Sequence, residues 1–171
     1  MTTFLVIAFS ISALLLLYVA VRNRRKTANR RIRPVDLKAF RTLTDRGDEF
    51  FLRERLPRSR FRRLKRQRIT VTVRYVNRIA GNAAAVMRLG EAARLNPDPE
   101  VAQAAAQVLD LAAQIRMQCL VAYAKLSLEF AVPSLQLTPA VLAPQYQALR
   151  ENVVRLGRLQ VPGAVPLPAA I

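Results

Sequence analysis

Among side chains able to move a proton or attack a substrate, the 171-residue chain offers one cysteine, Cys119, a scatter of carboxylates and no histidine. Without imidazole it lacks the usual general base, the commonest metal ligand and any Ser/Cys/His arrangement. Cys119 falls inside an apolar helical pattern, which suits a small buried hydrophobe better than a nucleophile. A single cysteine cannot close an intramolecular disulfide, as fits a reducing compartment. Asp36, Asp45, Asp48, Glu49 and Glu54 stand among arginines that keep them ionised and paired, an arrangement for surface salt bridges and not for general acid work. No phosphate-binding loop, Gly-x-Gly-x-x-Gly run or metal-ligand spacing occurs. The expectation is a protein that is not an enzyme and carries no cofactor or metal.

The chemistry the sequence does supply is anion binding. Lys and Arg number 28 against 11 Asp and Glu, a formal net charge of +17. The excess is local: residues 22–94 hold 23 basic and 6 acidic side chains, and residues 95–171 hold 5 of each. Its densest part contains Arg53, Arg55, Arg58, Arg60, Arg62, Arg63, Lys65, Arg66 and Arg68, with Arg74 and Arg78 beyond, against the single acid Glu54. On a helix Arg58, Arg62 and Arg66 form one row while Arg55 and Arg63 point elsewhere, so positive charge wraps round and repels itself. An anionic partner is expected to neutralise it: lipid headgroups, an acidic protein surface or nucleic acid. Nucleic acid is the weakest of the three, because Phe61 and Tyr75 are too few for a base-stacking platform. Only Lys26, Lys38, Lys65 and Lys125 are lysines. A coding bias that also enriches Ala, Val and Pro accounts for this preference, so arginine content by itself assigns no ligand.

The element that positions this charge is the N-terminus. Residues 2–21, TTFLVIAFSISALLLLYVAV, carry no charged side chain, and about 20 helical residues span a hydrocarbon core of about 30 Å. Arg22, Arg24, Arg25, Lys26, Arg30, Arg31 and Arg33 follow at once. The positive-inside rule then predicts a single-pass anchor in the inner (cytoplasmic) membrane, N-terminus outside and body in the cytoplasm. Residues 22–33 read as a basic juxtamembrane tether whose seven positive side chains touch anionic headgroups, each contributing on the order of 1 kcal/mol.

Beyond the tether, apolar spacing is helical. Residues 34–56 predict short amphipathic helices interrupted around Gly47. From Pro57, apolar or small residues recur at Ile69, Val73, Val76, Ala80, Ala83, Met87 and Gly90 in alternating steps of four and three, the signature of a packed helix face. Ile69–Val76 also alternates like a β-branched strand, but no second run exists to pair with it. Asn96-Pro97-Asp98-Pro99 stops the helix and starts another, since Asp98 suits an N-cap and Pro99 a first helical position. The same rhythm resumes at Val101, Ala105, Val108, Ala112, Ile115, Cys119, Ala122 and Leu126.

The predicted architecture is all-α: one N-terminal transmembrane helix, then a cytoplasmic helical domain built on a long antiparallel αα-hairpin over 57–132, turning at 96–98. A Pro-broken connection and a short C-terminal helix occupy 133–160, and 161–171 reads as a disordered tail rich in Pro. Leu111, Met117, Leu120, Val121 and Leu128 extend the apolar surface past one stripe and are the expected docking face for other protein subunits. Function is read as that of a non-catalytic, membrane-anchored interaction protein, an accessory or scaffold subunit of a larger membrane complex. The alternative is a membrane-tethered, sequence-nonspecific nucleic-acid or ribosome binder using residues 53–78.

Overall fold

A computed structural model of the chain describes residues 32–137, 139 and 141–160. The anchor expected at 2–21, the tether cations Arg22, Arg24, Arg25, Lys26, Arg30 and Arg31, and the tail at 161–171 lie outside these residues. Among the described residues no helix is long and apolar enough to cross a membrane.

The described chain is all-α, with five helices: α1 (Leu37–Leu43), α2 (Arg46–Arg55), α3 (Arg58–Ala93), α4 (Pro99–Ala131) and α5 (Leu142–Gln160). Helices α3 and α4 have 36 and 33 residues, or roughly 54 and 50 Å at helical rise. They pack as an antiparallel pair, and α5 lies against α4. The turn works as its residues require: Asp98 accepts from the Glu100 amide and Pro99 takes the first turn of α4, satisfying one orphan donor and removing another.

Every seam residue expected on α4 is buried, from Val101 to Leu126. On α3 the steps of four and three occur in another phase. The buried line runs Lys65, Ile69, Thr72, Val76, Ile79, Ala83, Val86, Gly90 and Ala93, whereas Val73, Ala80 and Met87 pack half-buried at its edge. Both phases share Ile69, Val76, Ala83 and Gly90. They separate at Thr72, whose polar side chain disguises a core position. Its hydroxyl donates to the Arg68 carbonyl one turn back at 2.9 Å, so the group is satisfied without leaving the seam. The strand alternative at Ile69–Val76 is absorbed into α3, where every backbone group bonds within the helix.

Asn82, buried on α3, ties two further elements to the hairpin. Its Oδ1 accepts from the Arg33 amide at 2.9 Å, and its Nδ2 donates to the Arg33 carbonyl at 2.7 Å and to the Tyr146 hydroxyl of α5 at 2.6 Å. From that clamp the chain runs back along α3. Asp36 caps α1 by accepting from the Ala39 amide, and Phe40, fully buried, meets Tyr75 with ring centroids 5.9 Å apart. Arg41 donates to Gln147 of α5 at 2.8 Å. Asp45 then caps α2 through the Gly47 amide.

Candidate functional site

The first half of α3 carries the arginine row. Pro57 fixes the entry, and without a helix breaker the chain stays helical to Ala93, so Arg58, Arg60, Arg62, Arg63 and Arg66 are exposed around it. None of the five forms an ion pair with a described residue. Arg62, Arg63, Arg66 and Arg74 line a shallow open groove with Ser59, Gln67, Thr70, Val71 and Phe130. Phe130 projects from the last turn of α4, and the Arg66 guanidinium lies over its ring at 5.3 Å, a cation–π contact. On α2, Arg53 and Arg55 are exposed and Arg55 lies over Phe51 at 5.4 Å.

Two cations expected on this surface are engaged elsewhere. Arg68 is half-buried and donates to the Thr42 and Leu43 carbonyls at 3.0 and 3.2 Å, placing positive charge at the C-terminus of α1 where the helix dipole favours it. Lys65 is only 4% exposed and cannot reach an external anion. It occupies the first position of the α3 seam, and Glu129 occupies the last position of the α4 seam, four and three residues beyond Ile69 and Leu126. Antiparallel packing brings the two charges to one end. Lys65 Nζ meets Glu49 of α2 at 2.5 Å and Glu129 at 3.9 Å, and also donates to the Leu135 carbonyl. Glu129 accepts from the Leu137 amide. One lysine thus holds α2, the end of α4 and the α4–α5 connection together, and a water-sized cavity of about 30 Å³ lies beside it.

Burial raises the pKa of Glu129, opposed by the Leu137 amide and the Lys65 charge. Cys119 is buried in the seam with Sγ 3.9 Å from the Val76 carbonyl, and burial pushes its thiol up to about 12, which keeps it protonated at neutral pH. Among the described residues no group of His, Cys, Asp and Glu is placed to hold a metal.

Of the expected docking residues, Leu111 packs half-buried against the core. Met117, Leu120, Val121 and Leu128 face outward on α4, between 43 and 62% exposed. The spacing that left them off the seam also leaves them outside the cover of α5. Phe130, two residues past Leu128 and so about 200° further round the helix, belongs to the basic groove and not to this strip. Sequence reasoning passed over Glu129 and Asn82, and for Glu129 a signal was present, because an apolar four–three rhythm that runs on into opposite charges at facing ends predicts a buried pair.

No protein-family model, no curated protein and no solved structure matches this chain.

Proposed function

We propose that the chain is a non-catalytic, membrane-anchored interaction protein, an accessory or scaffold subunit whose helical hairpin docks other protein subunits. The observation that carries this reading is the strip of exposed apolar side chains on α4, Met117, Leu120, Val121 and Leu128. Large apolar side chains gathered on one exposed helix face are the composition of an interface core. The matching partner surface is apolar. The uncharged stretch at 2–21 and the cations after it support an anchor with the body in the cytoplasm.

The test is extraction of the full-length chain from its own membranes in mild detergent at low salt, followed by size exclusion with protein content and the 260/280 absorbance ratio recorded together. The expected result is co-elution with partner proteins at a protein-like ratio, and loss of that assembly in Leu120→Glu with membrane retention intact. Unaltered assembly in Leu120→Glu removes the docking strip. A nucleic-acid-like ratio that nuclease or high salt abolishes would replace the reading with the tethered nucleic-acid binder, whose affinity falls with salt by roughly one unit of slope per phosphate contact.

A further inference from the structure

Helix α2 presents a surface that the docking strip does not use. Its inner side is settled: Glu49 reaches Lys65, and Leu52 and Leu56, three and seven residues on, are half-buried. On the opposite side Phe50 and Phe51 are 58 and 57% exposed. Two adjacent phenylalanines held outward on a ten-residue helix expose aromatic surface that nothing in the described chain covers. They are flanked by Arg46, Arg53 and Arg55, all exposed, and Arg58 and Arg60 follow at the start of α3. The exposed acids of α2 are Asp48 and Glu54, so positive charge predominates around the rings.

From this juxtaposition we propose that α2 and the first turn of α3 form a membrane-surface contact, in which Phe50 and Phe51 enter the headgroup–acyl boundary and the surrounding arginines bind anionic lipid headgroups. Aromatic rings beside long cationic side chains match a bilayer interface on both counts. The rings exchange water for the acyl boundary, while each guanidinium reaches phosphate and keeps its stem along the apolar surface. Arg55 already has its charge over the Phe51 ring, so headgroup and ring contacts can be made together. An acidic protein would neutralise the arginines equally well, but it offers no reason for two bare phenylalanines among them beyond a complementary apolar pocket. The Lys65 clasp then serves as the mount. It fixes α2 to the hairpin end remote from the α3–α4 turn. The inference builds on the anchored reading above.

The chain contains no tryptophan, which makes Phe50→Trp and Phe51→Trp single-fluorophore reporters in the full-length protein. Leu95→Trp, at a site 85% exposed beside the α3–α4 turn, is the control. Each variant is reconstituted into nanodiscs of phosphatidylcholine alone or with phosphatidylglycerol, with and without bromination of the acyl chains. Expected are shorter-wavelength emission and bromolipid quenching for Trp at 50 and 51 in the anionic discs, a weaker effect in the zwitterionic ones, and water-like, unquenched emission at 95. Water-like emission at 50 and 51 in a chain that has entered anionic discs overturns the contact while leaving the anchor intact. Equal quenching in both lipids removes the arginines from it, and a blue shift that requires an added partner protein assigns the rings to that protein instead. A chain that fails to enter discs overturns the anchor. Vesicles of the same anionic composition mixed with it then decide the contact separately, by whether Trp at 50 is quenched.

Discussion

Lys65 and Glu129 are the residues where charge and packing meet most directly. Both are 4% exposed and both occupy seam positions that an apolar side chain would ordinarily fill. Removing one partner strands the other in low dielectric, so Lys65→Met is expected to cost about 3 to 5 kcal/mol of unfolding free energy in urea, with Lys65→Met/Glu129→Leu recovering part of it. An undiminished urea midpoint in the single variant would mean that the clasp contributes nothing. The pH dependence has a definite sign. Burial holds the folded pKa of Glu129 above its ordinary 4.5, so the folded chain binds that proton more tightly than the unfolded chain. The stability linked to it is complete below the unfolded pKa and is lost as pH rises through the folded one. Glu129→Gln cannot ionise and escapes this loss. Thermal melts taken from the acid side of the carboxylate range toward neutrality are expected to move in favour of Glu129→Gln relative to the parent, and parallel curves would refute the assignment.

Glycines on two different helices separate packing from propensity at the scale of the element. A Cβ at Gly157 of α5 would meet nothing within 4 Å, whereas one at Gly90 of α3 would stand 3.0 and 3.1 Å from the Leu109 side chain and 3.6 Å from the Ala105 carbonyl. Gly157→Ala is therefore expected to stabilise by about 1 kcal/mol through helix propensity alone. Gly90→Val forces apart a contact that lets α3 and α4 approach closely and is expected to destabilise by about 1 to 3 kcal/mol. Urea unfolding followed by far-ultraviolet circular dichroism measures both. Equal effects at the two sites would show that the approach at Gly90 tolerates a side chain. The same element scale explains the misread phase of α3. Two four–three phases were apolar enough to form a seam, and the one actually used contains Thr72 and Lys65, residues that hydropathy alone assigns to the surface.

At the scale of the whole molecule, the buried core of the described residues runs from Val35 to Leu156, all of it beyond the stretch expected to be the anchor. Deleting residues 2–21 is accordingly predicted to release the chain from the carbonate-resistant membrane fraction into the soluble one while its helicity per residue in the remainder is kept. A deleted chain that still pellets after alkaline carbonate would assign membrane attachment to another surface. A chain that loses its circular-dichroism helicity would show that the hairpin depends on the anchor to fold. The hairpin buries modest seam residues, many of them alanine, so its apolar gain per residue is small. The covers supplied by α5 and α1 through Leu142, Tyr146, Leu149 and Phe40 complete the core that the pair alone leaves open.

The sequence by itself determined the helical class, the antiparallel pair, the α4 seam and the punctuation at Asn96-Pro97-Asp98-Pro99, because heptad spacing and helix caps are local properties that survive without knowledge of the partner helix. It determined the concentration of positive charge before Arg94 for the same reason. Only the tertiary structure decided which cations face solvent. Lys65 and Arg68 carry the same charge as Arg62 and Arg66, yet the first meets Glu49 and Glu129 and the second the carbonyls ending α1, contacts made by elements distant in the chain. The clamp of Asn82 on Arg33 and Tyr146, and the outward placement of Phe50 and Phe51, were settled the same way. Each depends on where separate helices come to rest, which no periodicity within a single helix encodes.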